Sequence, residues 1–233
     1  RTERIHVATN VMNLPLRQPA VIARSVASLD LLSGGRVDLG LGAGGFWDAI
    51  EAMGGRRLTP GQAVDALSEA IDIIRAIWDT STRRGVVLDG EYYKLKGAKR
   101  GPEPAHDIPI WLGAYKPRML RLTGEKADGW LPSLPYLDQK GVPDANARID
   151  EAAEAAGRSP REIRRLLNID GAFASRRAGF LQGPPEQWVE QLLPLVLEQG
   201  FSAFILSVDD PRTIERFGAE VAPALQIGRA SCR

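Results

Sequence analysis

Thiols and imidazoles are nearly missing from this sequence: its 233 residues include one cysteine, Cys232, and two histidines, His6 and His106. That inventory argues against a disulfide framework, a Cys/His zinc site and a Cys–His nucleophile pair. Also lacking is an excess of charge of either sign. Thirty Lys and Arg stand against 29 Asp and Glu, a formal net charge of +1. No bulk field therefore draws nucleic acid or a membrane surface. No apolar run approaches the roughly 18–20 residues that span a bilayer, and the opening residues carry no secretory-signal pattern. What is present, 44% hydrophobic and 25% charged residues, is the composition of a globular domain with one large core. A reducing cytoplasm is the expected compartment.

Both ends stand out. Arg1-Thr2-Glu3-Arg4 leads into a strand at once, without an initiator Met. Residues 227–233, Ile-Gly-Arg-Ala-Ser-Cys-Arg, follow Pro223-Ala224-Leu225 with no helical or strand pattern. They read as a cloning or assembly scar similar to a translated sequencing adapter, and are set apart with Cys232 as a non-native tail. The alternative is a frayed natural end. Residues 1–226 are the domain to be explained.

Strand and helix signals alternate along those residues. Ile5 to Val11 is a short β-rich run with a polar break at Thr9-Asn10. Pro19 opens a helix with Ile22, Val26, Leu29 and Leu32 at helical spacing, which Ser33-Gly34-Gly35 stops. Arg36 to Gly42 is the next strand. Thr59-Pro60 caps a long helix with Val64, Leu67, Ile71, Ile74 and Trp78 on one face. Val86 to Tyr93 predicts a hairpin turning at Asp89-Gly90. Further strands are expected over 108–113, 128–132, 163–174 and 203–208, with helices over 116–125, about 144–156, from Pro184 onward and about 210–221. Six apolar strands alternating with helices argue for a parallel sheet covered by helices. Periodicity leaves open whether that sheet is doubly wound or closes into a barrel.

Three segments carry a resemblance. The first runs from Ala8-Thr9-Asn10-Val11-Met12-Asn13 through Arg17-Gln18-Pro19-Ala20 to Leu29-Asp30-Leu31-Leu32-Ser33-Gly34-Gly35-Arg36. The second is Asp38-Leu39-Gly40-Leu41-Gly42-Ala43-Gly44, ending at Ala52-Met53-Gly54. The third is Pro109-Ile110-Trp111-Leu112-Gly113-Ala114, then Pro117-Arg118-Met119-Leu120 and Ala127-Asp128-Gly129-Trp130. In order and spacing, over residues 4–225, they resemble the luciferase-like family of FMN monooxygenases and deazaflavin F420-dependent oxidoreductases. The resemblance implies an α/β fold, a (β/α)8 TIM-type barrel. In it this chain begins at the third strand, with the first two strand–helix units absent. Such a sheet is expected to be an open C with unpaired edges at the strands of Ile5 and Ala203, and the chain alone not to be a competent enzyme.

The resemblance also directs attention to loops after strand C-termini, where such barrels keep their chemistry. The expected cofactor is F420, with FMN as the alternative. The expected activity is hydride transfer to or from a small organic substrate, against FMN-dependent monooxygenation or a non-catalytic flavin-binding role. A homodimer is the expected assembly of the full-length protein, and no metal is called for. Gly40-x-Gly42-x-Gly44-Gly45 satisfies G-x-G-x-x-G, yet it follows a complete strand–helix unit and runs into Phe46-Trp47-Asp48, unlike a Rossmann fingerprint. Ala43 and Gly44 serve either a cofactor or a tight turn, and Asp48 serves a cofactor tail or caps the next helix. In F420 relatives a carboxylate follows the second glycine of this loop; here Gly45 stands there, so the role does not carry over. Asn10-Val11 occupies the position of a non-proline cis peptide that buttresses the deazaflavin in relatives, or is an ordinary trans loop. Ala114, Tyr115, Lys116, Arg118 and Met119 begin a helix whose free N–H groups suit a phosphate; the alternative for Lys116 and Arg118 is a solvated surface. Trp78 and Trp188 read as core. Trp47, Trp111 and Trp130 line a pocket or pack. His6 takes a structural hydrogen bond, His106 lies in a loop, and the Arg56-Arg57, Arg83-Arg84 and Lys99-Arg100 pairs are solvated. No residue is identified as the acid or base.

Overall fold

A computed structural model describes residues 2–230, with side chains described through residue 226. Arg1 and residues 231–233, Cys232 among them, lie outside the described residues. β1 (Val7–Ala8) and β2 (Met12–Asn13) flank the anticipated break, where the Asn10–Val11 peptide is cis. Then follow α1 (Pro19–Ser33), β3 (Val37–Gly42), α2 (Trp47–Ala52), α3 (Pro60–Trp78), the hairpin of β4 (Val86–Asp89) and β5 (Lys94–Ala98), β6 (Ile110–Leu112) and α4 (Pro117–Lys126). The second half contains β7 (Gly129–Trp130), α5 (Val142–Ala155), β8 (Arg164–Ile169), a minor pair β9 (Ala172–Phe173) and β10 (Gln182–Gly183), α6 (Pro185–Leu197), β11 (Phe201–Leu206), α7 (Pro211–Arg216) and α8 (Ala222–Ala230).

The main sheet runs β1-β3-β6-β7-β8-β11, every neighbour parallel, with β2 also on β3. Registers such as Leu39 opposite Ile110 and Trp111 opposite Gly129 keep side chains alternating between two faces. The sheet curls into the half-barrel of a TIM-type fold, each strand returning through helix. Among the described residues β1 and β11 pair with no further strand, so the sheet is open as the sequence predicts.

Alternation decides where the cores lie. Leu39, Leu41, Ile110 and Leu112 point outward and pack with Ile22, Val26, Leu67, Ile71 and Ile74 from α1 and α3. A second outer core joins Trp130, Ile149, Trp188, Leu192 and Phe201. Inside the arc the buried apolar set is small: Trp111, Leu131 and Leu166, with Ala203 and Ile205 against them. The inward positions of β3 are therefore Asp38, Gly40 and Gly42. α3 is held at its start by a capping box, Thr59 Oγ1 accepting from Gln62 N at 3.3 Å and Gln62 Oε1 from Thr59 N at 3.0 Å.

Several expectations need correction. Leu29 and Leu32 are exposed, and Ile22, Ala23, Val26, Ala27 and Asp30 form the buried face of α1. That face is turned because the Asp30 carboxylate is committed inward, to the amides of Val37 (3.2 Å), Ala105 (2.8 Å) and His106 (3.2 Å). The hairpin returns at Lys94 rather than within residues 90–93, because Glu69 on α3 collects the amides of Glu91, Tyr92 and Tyr93 and stretches the turn. The strand expected over 163–174 ends at Ile169. Gly171 follows, where a Cβ would lie 2.3 Å from Leu181 O. Residues 227–230, without a helical pattern in sequence, extend α8, since adding a residue to an existing helix costs far less than starting one. Arg100 is not solvated: it donates to Arg84 O and to the Ala76 and Asp79 carbonyls.

Candidate active site

Parallel strands deliver their C-terminal ends to one mouth of the arc, and the loops singled out from sequence meet there. Asn10 Nδ2 donates to Asn168 Oδ1 at 2.6 Å; Asn168 Nδ2 returns a bond to Asn10 Oδ1 at 3.1 Å and another to Ser133 Oγ at 3.1 Å. These three residues come from β1's loop, β8 and the segment after β7, so the network ties three strand ends together. Every group in it is neutral.

Beside it the Val11 side chain rests in a space left by glycines. A Cβ on Gly42 would lie 2.8 Å from Val11 Cγ2, on Gly40 3.3 Å from Cγ1, and on Gly113 3.9 Å from Cγ1; on Gly40 it would also meet Thr9 O at 2.1 Å. The G-x-G spacing thus reflects two inward positions of one strand that must both clear Val11. Gly44 has another reason: its φ is +109°, and the Trp47 ring would lie 2.7 Å from a Cβ there. Trp47 belongs to α2 and covers this loop, whereas nothing stands within 4 Å of a Cβ on Gly45. Ala43 packs against the outer core. Asp48, in the first turn of α2, makes no cap hydrogen bond; its fully exposed carboxylate pairs with Arg57, which also holds Glu51 at 2.6 Å. These carboxylates raise the Arg57 pKa, the hydrogen bond that Arg57 donates to Glu51 first.

The third loop opens α4. Ala114 is buried and its carbonyl accepts from Trp130 Nε1 at 2.8 Å. Lys116 is the N-cap and Pro117 the first residue, leaving the amides of Arg118 and Met119 in the first turn. Arg118 turns toward α3, where its guanidinium donates to Asp65 Oδ1 at 2.7 Å. The Tyr115 hydroxyl accepts from Ser133 N at 2.8 Å and its ring meets Tyr136 edge-on at 6.2 Å. Tyr115, Lys116, Tyr136, Asp144 and Arg148 line a cavity of about 260 Å³. Met119 packs between the two outer cores.

The structure thus joins Asn10 and Val11 to the glycine loop, and through Ser133 to Tyr115 and Lys116. It sends Arg118 and Asp48 to ion pairs with their own chain. Reading the sequence missed Asn168, Ser133 and Tyr136. Asn168 had a visible signal: an amide inside Leu166-Leu167-Asn168-Ile169 needs a partner when buried. Among the buried polar atoms that lack a partner within the protein are Asn13 Oδ1 at the mouth and Trp111 Nε1 inside the arc. Both offer a ligand a hydrogen bond in an otherwise apolar lining.

The profile of the luciferase-like monooxygenase family matches residues 1–196. The 5,10-methylenetetrahydromethanopterin reductase of Methanolobus tindarius is 36% identical over 233 residues, with 98% of this chain and 63% of that protein aligned. An F420-dependent glucose-6-phosphate dehydrogenase of Mycolicibacterium fortuitum is 30% identical, with 98% and 65% aligned. The chain spans a little under two thirds of the length of these two relatives. Among solved structures, an F420-dependent secondary alcohol dehydrogenase with an F420-acetone adduct superposes with a TM-score of 0.83 at 19% identity, over 96% of this chain and 80% of that one. The coenzyme F420-dependent tetrahydromethanopterin reductase of Methanopyrus kandleri gives 0.80 at 21%, over 96% and 84%. At such identities these likenesses speak for the fold.

Proposed function

The chain belongs to the luciferase-like monooxygenase family, and from that premise we propose that it binds an F420-type deazaflavin at the C-terminal mouth for hydride exchange with a small organic substrate. The observation that carries this reading is the neutral platform of Val11, seated among Gly40, Gly42 and Gly113, beside the Asn10–Asn168–Ser133 network. A flat ring system with polar edges asks for an apolar seat and uncharged hydrogen-bonding groups. The residues present fit. Asn10, Val11 and the backbone at Ala43 and Gly44 would hold the ring, and Tyr115 would wall it. Lys116 with the Ala114–Met119 helix start would hold a phosphate. Asp48 and Arg57, exposed and paired with each other, would meet a tail at the mouth.

When bound, a deazaflavin supplies the carbon that accepts or releases hydride, and the protein holds and orients it. Trp111, Leu131 and Leu166, the buried apolar set inside the arc, would floor the site and keep water from beneath the ring. The Asn10–Asn168 pair would orient the ring edge without offering a proton acceptor strong enough to compete. The names of the aligned relatives favour F420 over FMN. The same reading has the reaction in the cytoplasm, in a homodimer; among the described residues no helix is long and apolar enough to cross a membrane.

The test is equilibrium binding of F420 and of FMN to the natural polypeptide that carries this sequence, followed by anaerobic turnover. Binding of F420, with oxygen-independent reduction or oxidation of it, is expected. Binding of FMN alone, with turnover that requires oxygen, would replace this reading by monooxygenation; binding of neither would end it.

A further inference from the structure

The opposite end of the arc holds a cluster that the mouth does not use. His6 precedes β1, Asp38 is the second residue of β3 and His106 lies in the connector before β6. Because β1, β3 and β6 are consecutive parallel neighbours, these residues fall at the N-terminal rim on three adjacent strands. One ligand atom from each of the three lies within 4.8 Å of the others. His6 Nδ1 is 3.3 Å from Asp38 Oδ2, and the two imidazoles meet edge-to-face at 6.1 Å.

We propose that His6, Asp38 and His106 form a binding site for a divalent transition-metal ion of the zinc class. The donor set, two imidazoles and one carboxylate, is one that zinc takes with a fourth position left to water. Ligands bound at about 2.0–2.1 Å around a tetrahedral ion stand about 3.4 Å apart, close to the His6–Asp38 separation.

What surrounds the ligands orients them as metal sites require. His106 Nδ1 is buried 2.9 Å from Asp30 Oδ1 in a geometry that makes no hydrogen bond, and Nε2 is the nitrogen that can face an ion. Asp30 is fully buried and also holds the His106 amide, which fixes the ring's base. Arg36 donates to Ile5 O at 3.0 Å and pins the residue before His6. Two carboxylates, Asp30 and Asp38, balance the charge of a divalent ion. His106 also lines a cavity of about 1050 Å³ with Trp78, Glu103 and Asp128, which gives water or a small ligand access. An ion here would staple the edge strand β1 to β3 and to the connector.

The experiment uses untagged protein, stripped with chelator, carrying Cys232→Ala so that no thiol competes. With that change no thiol remains, and His6 and His106 are the chain's only imidazoles. Zn²⁺ is added and followed by calorimetry, and Co²⁺ by its visible d–d spectrum. One ion per chain is expected, with a tetrahedral-type cobalt spectrum and a rise in Tm of about 5 °C at a hundredfold excess over Kd. His6→Gln, at an exposed position that leaves folding intact, should weaken zinc at least tenfold, as should Asp38→Asn. Zinc affinity unchanged in His6→Gln and His106→Gln, or no stoichiometric binding in the parent, overturns the site. Neither result touches F420 binding at the opposite mouth.

Discussion

The two ends of the same strands are built from opposite materials. At the C-terminal mouth, glycines and neutral amides leave room: Gly40, Gly42 and Gly113 clear Val11, and Asn10, Asn168 and Ser133 bond one another. At the N-terminal rim, carboxylates close gaps. Asp30 gathers three backbone amides, and Asp128 takes the Ile110 amide at 2.8 Å and Arg75 at 2.9 Å, with Arg158 at 3.6 Å. The difference teaches a division of labour. The rim joins helices and connectors to the strands by charge-assisted bonds, and the mouth keeps charge away from the platform where a ligand is proposed to sit.

The largest expected effect tests the rim. Asp30→Ala leaves three amides, one buried and two partly buried, without acceptors and should lower unfolding free energy by about 3–5 kcal/mol, read by urea denaturation. A loss under about 1 kcal/mol would break the contrast, because water would then serve those amides as well as the carboxylate does. Next comes the mouth's need for space. Gly40→Ala pushes a methyl to 2.1 Å from Thr9 O and should cost about 3 kcal/mol. Gly45→Ala, in the loop that follows β3 and with nothing within 4 Å, should change stability by less than about 0.5 kcal/mol. Equal costs would show that loop flexibility, not clearance around Val11, explains the glycines.

Asn168→Ala sharpens the comparison from the other side. It should cost only about 1 kcal/mol of stability, since its partners face a mouth that water can reach, yet weaken F420 binding tenfold or more. If stability fell as far as in Asp30→Ala with F420 affinity intact, the network would be structural. At the phosphate loop, Lys116→Ala should weaken F420 about tenfold with a clear salt dependence. Arg118→Ala, already paired with Asp65, should weaken it by less than about threefold. The reverse order would redraw the loop.

The smallest effect belongs to neither end. Burial, with the Glu69 charge behind it, pushes the Tyr93 phenol up to about 12. Since the folded value lies above the unfolded one of about 10, this contribution is complete below pH 10 and fades as pH rises toward 12. Tyr93→Phe should flatten that alkaline decline in Tm.

Much of this was open to reading along the chain. The six strands, the capped helix from Thr59-Pro60, the turn at Gly34 and the break at Thr9-Asn10 all come from spacings of a few residues. Where the reading slipped, a distant partner had intervened. Asp30 turned α1 by bonding residues 75 and 76 positions away, and Glu69 reset the hairpin from 22 positions away. Arg118, read as a phosphate ligand, also has Asp65 beside it, a partner 53 positions away that no local spacing announces. Asn168 was visible as a polar residue in an apolar strand, but its partner Asn10 lies 158 residues upstream.

The order of the elements, and the places where caps and glycines break them, can be read along the chain, because helix and strand periods and turn chemistry act over one or two turns. Only the tertiary structure decided that Val11 is what the glycines make way for, that a neutral amide pair crosses the mouth, and that the chain's two histidines meet Asp38 at the rim. Those meetings depend on which strands become neighbours and on how far the sheet curls. The physical reason is that curvature and pairing are set by packing summed over the whole core, which no local spacing records.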